Sequence, residues 1–474
     1  MKKHTIVKTF ILAVVGVFAH NISQAQTALS LQQAVETATG TSKLLKIDNY
    51  KTQASVFKLK ETAVGRLPTI KFTGRYTRLS NNITPFALDF SGSLSPIINP
   101  LYAGVNALNA KNGLPPTVPQ ASEGGNTNLN PQILDQFNTQ LTVQQVIYAG
   151  GKVNLGIKIA EINRDITKIE YDKDKADVIL NTKLSYWNLY KAQQVLEQLK
   201  ISEKQVANRI ADLENLAKLG LATENDVLKL KVQSYNIQLQ KTEMENTISI
   251  ANIGLNSVLN QELAIINNLT TTPNTSYVVK GTMQELIEKA SSQRHELKIN
   301  DMRVKTAQVG EKIANSGYMP QVVAQVNGYY ANPNQRNFPQ TAVFKETADA
   351  SLVLSWDVWT WNTPKYQAEQ YKLQALQAQE LNSFTKDNIA LEITQHFLSL
   401  KNALARLNLA TETVKQAEEN YRVTNSRVKN GLALSSDLVD AEVSLLNAKI
   451  SQTSASVDYE MGLARLERAV GGLE

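Results

Sequence analysis

The sequence predicts a mainly α-helical chain that also carries membrane β-strands: a two-repeat protomer of a trimeric, 12-stranded β-barrel continued by a long α-helical barrel. Two observations predict this. The first is a duplicated turn. Leu216-Ala-Lys-Leu-Gly-Leu-Ala-Thr-Glu-Asn-Asp226 returns 211 residues later as Arg427-Val-Lys-Asn-Gly-Leu-Ala-Leu-Ser-Ser-Asp437, and an internal repeat fixes the architecture before any single element does. The second is a set of four stretches of about ten residues whose polar and apolar residues alternate, the length of a tilted membrane strand. Four strands cannot close a barrel, and open edges are not tolerated in lipid. Barrels begin at eight strands, so several chains must contribute, and three copies supply twelve.

The chain has 474 residues and no cysteine, which excludes disulfides, thiolate metal sites and a lipidated N-terminal cysteine. Residues 1–25 read as a secretory signal peptide. Lys2, Lys3 and Lys8 form a basic start, 9–19 an apolar core, and Ser23-Gln-Ala25 a small-residue cleavage site. The apolar run is too short to span a bilayer core of about 30 Å. Cleavage takes three charges from the formal +6 and leaves a mild, scattered balance, so nucleic acid is not expected.

The first repeat, 26–282, opens with a helix over 29–65, rich in Ala, Lys, Gln and Leu, which Pro68 stops. In strand 69–78, Ile70, Phe72, Gly74 and Tyr76 share one face and Lys71, Thr73, Arg75 and Thr77 the other. Residues 80–136 hold seven of the 13 prolines and read as a long irregular extracellular loop. Strand 137–148 puts Leu141, Val143, Gln145 and Ile147 on one face. Gly150-Gly151 breaks it, and the long helix 152–218 would reach about 100 Å at 1.5 Å per residue. Its apolar residues recur in a narrow coiled-coil-like stripe, as at Val206, Ile210 and Leu213. A turn, a helix over 224–260 and a linker over 261–282 complete the unit.

The second repeat, 283–474, follows the same plan. A helix stops at Pro320. Strand 321–330, loop 332–347, strand 348–359, long helix 365–430, a turn and helix 435–470 follow. Leu352, Leu354, Trp356 and Val358 align on one strand face, matching Leu141, Val143 and Ile147. Pro68 and Pro320 lie 252 residues apart, whereas Tyr148 and Trp359, like Gly220 and Gly431, lie 211 apart. The missing residues all fall between the two strands, and a loop so tolerant of length is exposed.

At each turn the glycine reads as the residue just past a helix end, with Arg427 and Lys429 suiting the dipole of the final turn. Ser435 or Ser436 reads as the cap of the last helix. Asp437 and Asp440, three apart, share a helix face. Spacing alone leaves two readings open: carboxylates that suit the helix dipole, or a charged ring. Asp226 matches Asp437, while Lys229 stands where Asp440 would. Tyr148, Trp356, Trp359 and Trp361 fall at strand ends, where either an interfacial girdle or ordinary packing accounts for them.

Taken together, Gly65-Arg-Leu-Pro68 and Gly317-Tyr-Met-Pro320, the strand ends Gln145-Val-Ile-Tyr-Ala-Gly-Gly151 and Trp356-Asp-Val-Trp359, and the two Gly-Leu turns resemble the TolC family of outer membrane efflux proteins. The likeness covers essentially all of the sequence after residue 25. It implies a homotrimer, with a barrel in outer membrane lipid and a helical tunnel reaching into the periplasm. The tunnel would dock a periplasmic adaptor (membrane fusion protein) that serves an inner-membrane efflux pump of RND, ABC or MFS type. It implies that Asp437 and Asp440, with Asp226 as the lesser counterpart, constrict the periplasmic entrance. It also makes Gly220, Leu221, Gly431 and Leu432 the adaptor-docking tips. Efflux members often carry Val-Gly-Leu at these turns; here they read Leu219-Gly-Leu and Asn430-Gly-Leu.

Enzyme readings find little. His4 and His20 lie in the leader, and His295 and His396 read as surface helix residues. No His-Glu-x-x-His or Gly-x-Ser-x-Gly occurs. Gly150-Gly-Lys152 lacks the first glycine and the Ser/Thr of a phosphate loop. No cofactor is expected. The rival reading is a periplasmic coiled-coil scaffold or adaptor without a pore, which would be soluble in buffer where a channel needs detergent.

Overall fold

The computed structural model describes residues 27–80, 87–88, 90–116, 127–128, 133–220, 222–274, 281–337 and 340–472. The expected signal peptide and Leu221 lie outside the described residues. The chain divides into two compact units: one of 58–160 and 308–372, the other of 1–57, 161–307 and 373–474. Among the described residues no helix is long and apolar enough to cross a membrane.

The first unit is built on a four-stranded antiparallel sheet, β2 (Thr69–Arg78), β5 (Asp135–Ala149), β7 (Gln321–Asn332) and β8 (Lys345–Ser355), in that order. The register follows from the alternation. Ile70 pairs with Val143 and Phe72 with Leu141; Leu141 pairs with Gly328, Val143 with Val326, and Ala324 with Leu352. One face is therefore mainly apolar across all four strands, and Ile70, Phe72, Leu141, Val326, Leu352 and Leu354 are all exposed on it. The opposite face is polar. There Gln140 and Thr142 donate to Asn327 Oδ1 at 3.2 and 2.9 Å, and Asn327 donates to Asp349 at 2.8 Å. Among the described residues these side chains of the apolar face stay uncovered.

Both strands after a proline begin alike. A 3₁₀ turn, Val64–Arg66 or Ser316–Tyr318, closes with Leu67 N–H on Val64 O at 2.8 Å and Met319 N–H on Ser316 O at 3.1 Å. Pro68 and Pro320 then release the chain into β2 and β7. Gly150 sits at φ 60°, and a Cβ there would lie 2.8 Å from Met319 Cβ and 2.9 Å from Ser316 O. Both backbone conformation and close approach demand glycine at that corner.

The region expected to be an irregular loop, 80–136, contains a helix, α3 (Phe90–Lys111), with Pro96 and Pro100 inside it. It also contains a short pair, β3 (Ala87–Leu88) with β4 (Thr127–Asn128), and β5 begins at Asp135. The prolines read as breakers. Both nonetheless stand exposed within the helix, and the proline-free run after Pro100 sustains it. Strand β8 ends at Ser355 rather than at 359. Its partner β7 begins at Gln321, opposite Ser355, and Pro320 before it has no N–H to extend the ladder.

In the second unit the helix expected over 29–65 is divided. Strand β1 (Thr27–Leu29) pairs in parallel with β6 (Asn267–Leu269), so the expected linker 261–282 contains a strand. Helices α1 (Leu31–Thr41) and α2 (Lys43–Ala63) follow. Ser30 caps α1: its Oγ accepts from Gln33 N–H at 3.2 Å while Gln33 Oε1 accepts from Ser30 N–H at 3.0 Å. The second repeat copies this at the same 252-residue offset. Thr282 and Glu285 form the reciprocal cap of α6 (Met283–Gln293), and α7 (His295–Asn315) follows a break at Arg294.

The long helices are α4 (Lys152–Lys218) and α8 (Thr363–Lys429), each of 67 residues, followed by α5 (Glu224–Leu259) and α9 (Ser435–Val470), each of 36. Their seams are heptads. Leu199, Val206 and Leu213 of α4 are buried with Val227, Leu230 and Ile237 of α5. Ile393, Leu400 and Leu407 of α8 are buried with Ala455, Tyr459 and Leu466 of α9. A seven-residue period keeps one stripe toward the partner, as in coiled coils. Trp187 and Tyr186 fill a further core, and Tyr186 Oη donates to Leu29 O at 3.0 Å and accepts from Thr271 N–H at 2.9 Å. At the end of α9, Arg468 donates to Asp177 at 2.6 Å and to Glu296 at 3.2 Å, while Arg294 donates to Ala469 O at 3.0 Å.

Candidate functional site: the helical turns

Each turn is made by a glycine with positive φ, 74° at Gly220 and 71° at Gly431. A Cβ would meet nothing within 4 Å at either, so backbone strain alone demands glycine. At the second turn Leu432 N–H donates to Arg427 O at 2.8 Å and Gly431 N–H to Val428 O at 3.0 Å, closing α8. At the first, Gly220 N–H donates to Ala217 O at 3.0 Å.

The caps differ from expectation. Helix α9 starts at Ser435, and its capping residue is Leu434, not Ser435 or Ser436. Leucine has no acceptor, so the local work falls to Asp437, whose Oδ2 accepts from Leu434 N–H at 3.2 Å. At the first turn Thr223 caps α5. Asp226 N–H donates to Thr223 Oγ1 at 3.2 Å, and Asp226 Oδ2 accepts from Thr223 N–H at 3.4 Å and Thr223 Oγ at 2.6 Å. Asp226 and Asp437 thus hold the same position and bend back over their own helix ends. Asp440 has no such partner and is exposed, as is Asp437, whereas Asp226 is half-buried. The geometry brings Asp437 and Asp440 onto one exposed face. Leu432 and Leu434 project beyond it, about 70% exposed.

The expectation missed a buried pair beside these acids. Glu442 of α9 is 7% exposed, and Arg209 Nε of α4 lies 3.7 Å from its Oε1. Arg209 also donates to Asn425 of α8 at 2.7 Å, so three helices meet at one guanidinium. Burial raises the Glu442 pKa; Arg209 and the Tyr421 hydroxyl oppose that. The signal was present: Glu442 interrupts the apolar series of Leu438 and Leu446 at a spacing of four. Arg209→Met should lower thermal stability by about 1–3 kcal/mol near pH 7, as for a buried group left unsatisfied. A raised carboxyl pKa means that the folded state favours the proton, so Glu442 costs stability as pH rises through that pKa and ceases to cost it below. The Arg209→Met deficit should therefore shrink on acidification. Melts followed by helical circular dichroism check this, and a deficit that grows toward low pH contradicts it.

The aromatic residues of the strand unit form a separate group. Trp356, Trp359 and Trp361 follow β8, and Tyr148 lies near the end of β5; all are exposed. Trp356 Nε1–H donates to Tyr318 O at 3.1 Å. Trp359 and Trp361 meet edge to face, with centroids 5.6 Å apart.

Duplicated helical turns in one unit and, in the other, a sheet with an exposed apolar face are the features of one known class of chain. The sequence model of the family "outer membrane efflux protein" matches residues 58–261 and 286–472. The chain belongs to this family. It is an outer membrane efflux channel whose helical part extends into the periplasm, and the scaffold reading is set aside. The outer membrane protein TolC of Vibrio cholerae is 20% identical over 364 residues, 75% of this chain and 82% of TolC. Among solved structures, the efflux channel's fold is similar to VceC of Vibrio cholerae, with TM-score 0.68, 16% identity and coverage of 94% of this chain and 97% of VceC. CusC gives TM-score 0.72 at 12% identity, covering 93% and 92%. The outer membrane channel MtrE of Neisseria gonorrhoeae gives 0.70 at 14%, covering 94% and 89%. CusC is described by its transmembrane channel formation and MtrE as an outer membrane channel.

Proposed function

We propose that three copies of this chain form one duct: a twelve-stranded barrel in the outer membrane, continued by a helical tunnel that receives cargo from a periplasmic adaptor and an inner-membrane pump of RND, ABC or MFS type. The observation that carries the reading is the sheet. Strands β2 and β8 are both free edges and run antiparallel to each other, because three antiparallel steps separate them. The β8 edge of one copy therefore suits the β2 edge of the next, and three sheets close with every backbone group paired. The apolar face then meets lipid and the polar face lines the lumen. Tyr148, Trp356, Trp359 and Trp361 act as the periplasmic aromatic girdle, where amphipathic rings suit the headgroup level.

At the far end of the tunnel, Asp437 and Asp440 from three copies place six carboxylates around the entrance, with Asp226 the weaker contributor. Crowded carboxylates favour cations over anions. Gly220, Leu221, Gly431 and Leu432 form the tips that meet adaptor hairpins; Leu432 supports this by its exposure.

Size measurement in detergent tests the assembly. The expected mass is three times 52.4 kDa, less the leader and apart from detergent; a monomer with intact strand content would refute it. Topology has its own test. A tag inserted next to Gly113, an exposed turn residue after α3, should be labelled on intact cells. Labelling only after the outer membrane is permeabilised would invert the barrel.

A further inference from the structure

The polar face of the sheet carries charge that the entrance acids do not explain. Lys71 and Arg75 on β2 and Lys345 on β8 all point from this face. Lys71 pairs in register with Thr142, Arg75 with Asn138, and Lys345 with Ala331. All three cations are exposed, and among the described residues none meets a carboxylate at ion-pair distance. The face carries one acid within these strands, Asp349, and it is already engaged by Arg336 and Asn327. Arg336 in turn lies over the Tyr329 ring at 4.3 Å. Asp349 stands in the same register row as Lys71 but three strands away, about 14 Å at 4.8 Å per strand, so it does not neutralise that lysine. Glu346 pairs in register with Tyr330 and falls on the apolar face.

We infer that this face is an anion-favouring filter, centred on Lys71 and Arg75, through which anionic cargo leaves the barrel. The inference rests on the trimeric pore proposed above. In such a pore Lys71 and Arg75 lie four residues apart, about 13 Å along the strand. Three copies form two cationic rings of three charges each. Adjacent rings lie about one and a half Debye lengths apart at physiological salt, so each ring attracts an anion largely by its own field, and the two act in succession along the lumen. The sign is opposite to that of the Asp437 and Asp440 ring. The two ends of the duct therefore differ in what they hold back: the entrance retards anions, and the barrel retards small cations and accepts carboxylated or phosphorylated molecules.

The test is side-specific block of single channels in a planar bilayer. Inositol hexakisphosphate added on the barrel side should reduce the parent channel's current, and the block should weaken in molar salt. Lys71→Gln with Arg75→Gln should weaken that block by about tenfold or more, while a trivalent cation added on the other side blocks as before. Lys71→Arg with Arg75→Lys should restore it, since charge and not side-chain identity is at issue. A conducting double variant that the polyanion blocks as tightly as the parent overturns the filter and leaves the pore reading standing. The absence of any channel current from the folded parent protein overturns both.

Discussion

Replacing Asp437 and Asp440 together by asparagine is expected to abolish block by polyvalent cations from the periplasmic side. The two carboxylates share one exposed face just beyond the turn, three residues apart. Assembly of three chains would crowd six of them into a constriction, where a low local dielectric strengthens their joint field. Hexaamminecobalt titrated on the helical side should block the parent channel, and the double variant should need at least about a hundredfold more. Asparagine is chosen because Asp437 Oδ2 accepts from Leu434 N–H; the amide keeps an acceptor there and the helix cap survives. The single variants should be unequal. Asp440→Asn should remove more of the block than Asp437→Asn, since Asp437 is partly spent on its own helix end. Asp226→Asn should do least, because Thr223 holds its carboxylate and Lys229 dilutes the charge. If the double variant blocks like the parent, these acids serve only their helix ends and the gate lies elsewhere.

Leu141→Arg is expected to remove the assembled protein from the outer membrane, whereas Thr142→Arg, its neighbour, leaves it there. Leu141 lies in the middle of β5, between Phe72 and Gly328, within the apolar stretch of that face. An arginine at the bilayer midplane costs about 2–4 kcal/mol per site in a β-barrel. Three copies multiply this to about 6–12 kcal/mol, comparable to the whole stability of a typical domain. Thr142 faces the polar side, where it donates to Asn327 Oδ1, and an arginine there can reach water. Heat-modifiable oligomer bands in isolated outer membranes read the difference. Equal loss from both substitutions would mean that the alternation does not separate lipid from lumen, and equal tolerance would remove the sheet from the bilayer.

Much of this was legible in the residues. Period-two alternation assigned the apolar face of each strand through Val143 and Leu354, because a strand's side chains alternate whatever it packs against; Ile147 falls at a register shift that puts Tyr148 opposite Val322, and Trp356 and Val358 follow the end of β8. Heptad spacing marked the seams, and Gly220 and Gly431 marked the turns, because only glycine reaches their φ without strain. The caps were less legible. Ser30 with Gln33 is a capping box, as is Thr282 with Glu285, yet the helix-forming composition around Ser30 runs through it without a break. At the last helix, serines suggested the cap and Leu434 took it, because the turn's geometry is set by Gly431 and the helix start is counted from there.

The sequence by itself determined the duplication, the strand faces, the long helices and the acids at the second turn, because these are written in local periods and offsets. Only the tertiary structure decided which carboxylates are free. Asp226 and Asp437 fold back on N–H groups three residues before them, Glu442 is buried against Arg209 of a helix more than 200 residues earlier, and Asp440 alone stays open. It also decided that 80–136 holds a helix, since each proline removes only one helical hydrogen bond and the run after Pro100 supplies the remaining turns. The unused cations, Lys71 and Arg75, became visible only once register placed Asp349 three strands away. A carboxylate's or a lysine's role depends on distance to the opposite charge, and distance across a fold is not a property of sequence spacing.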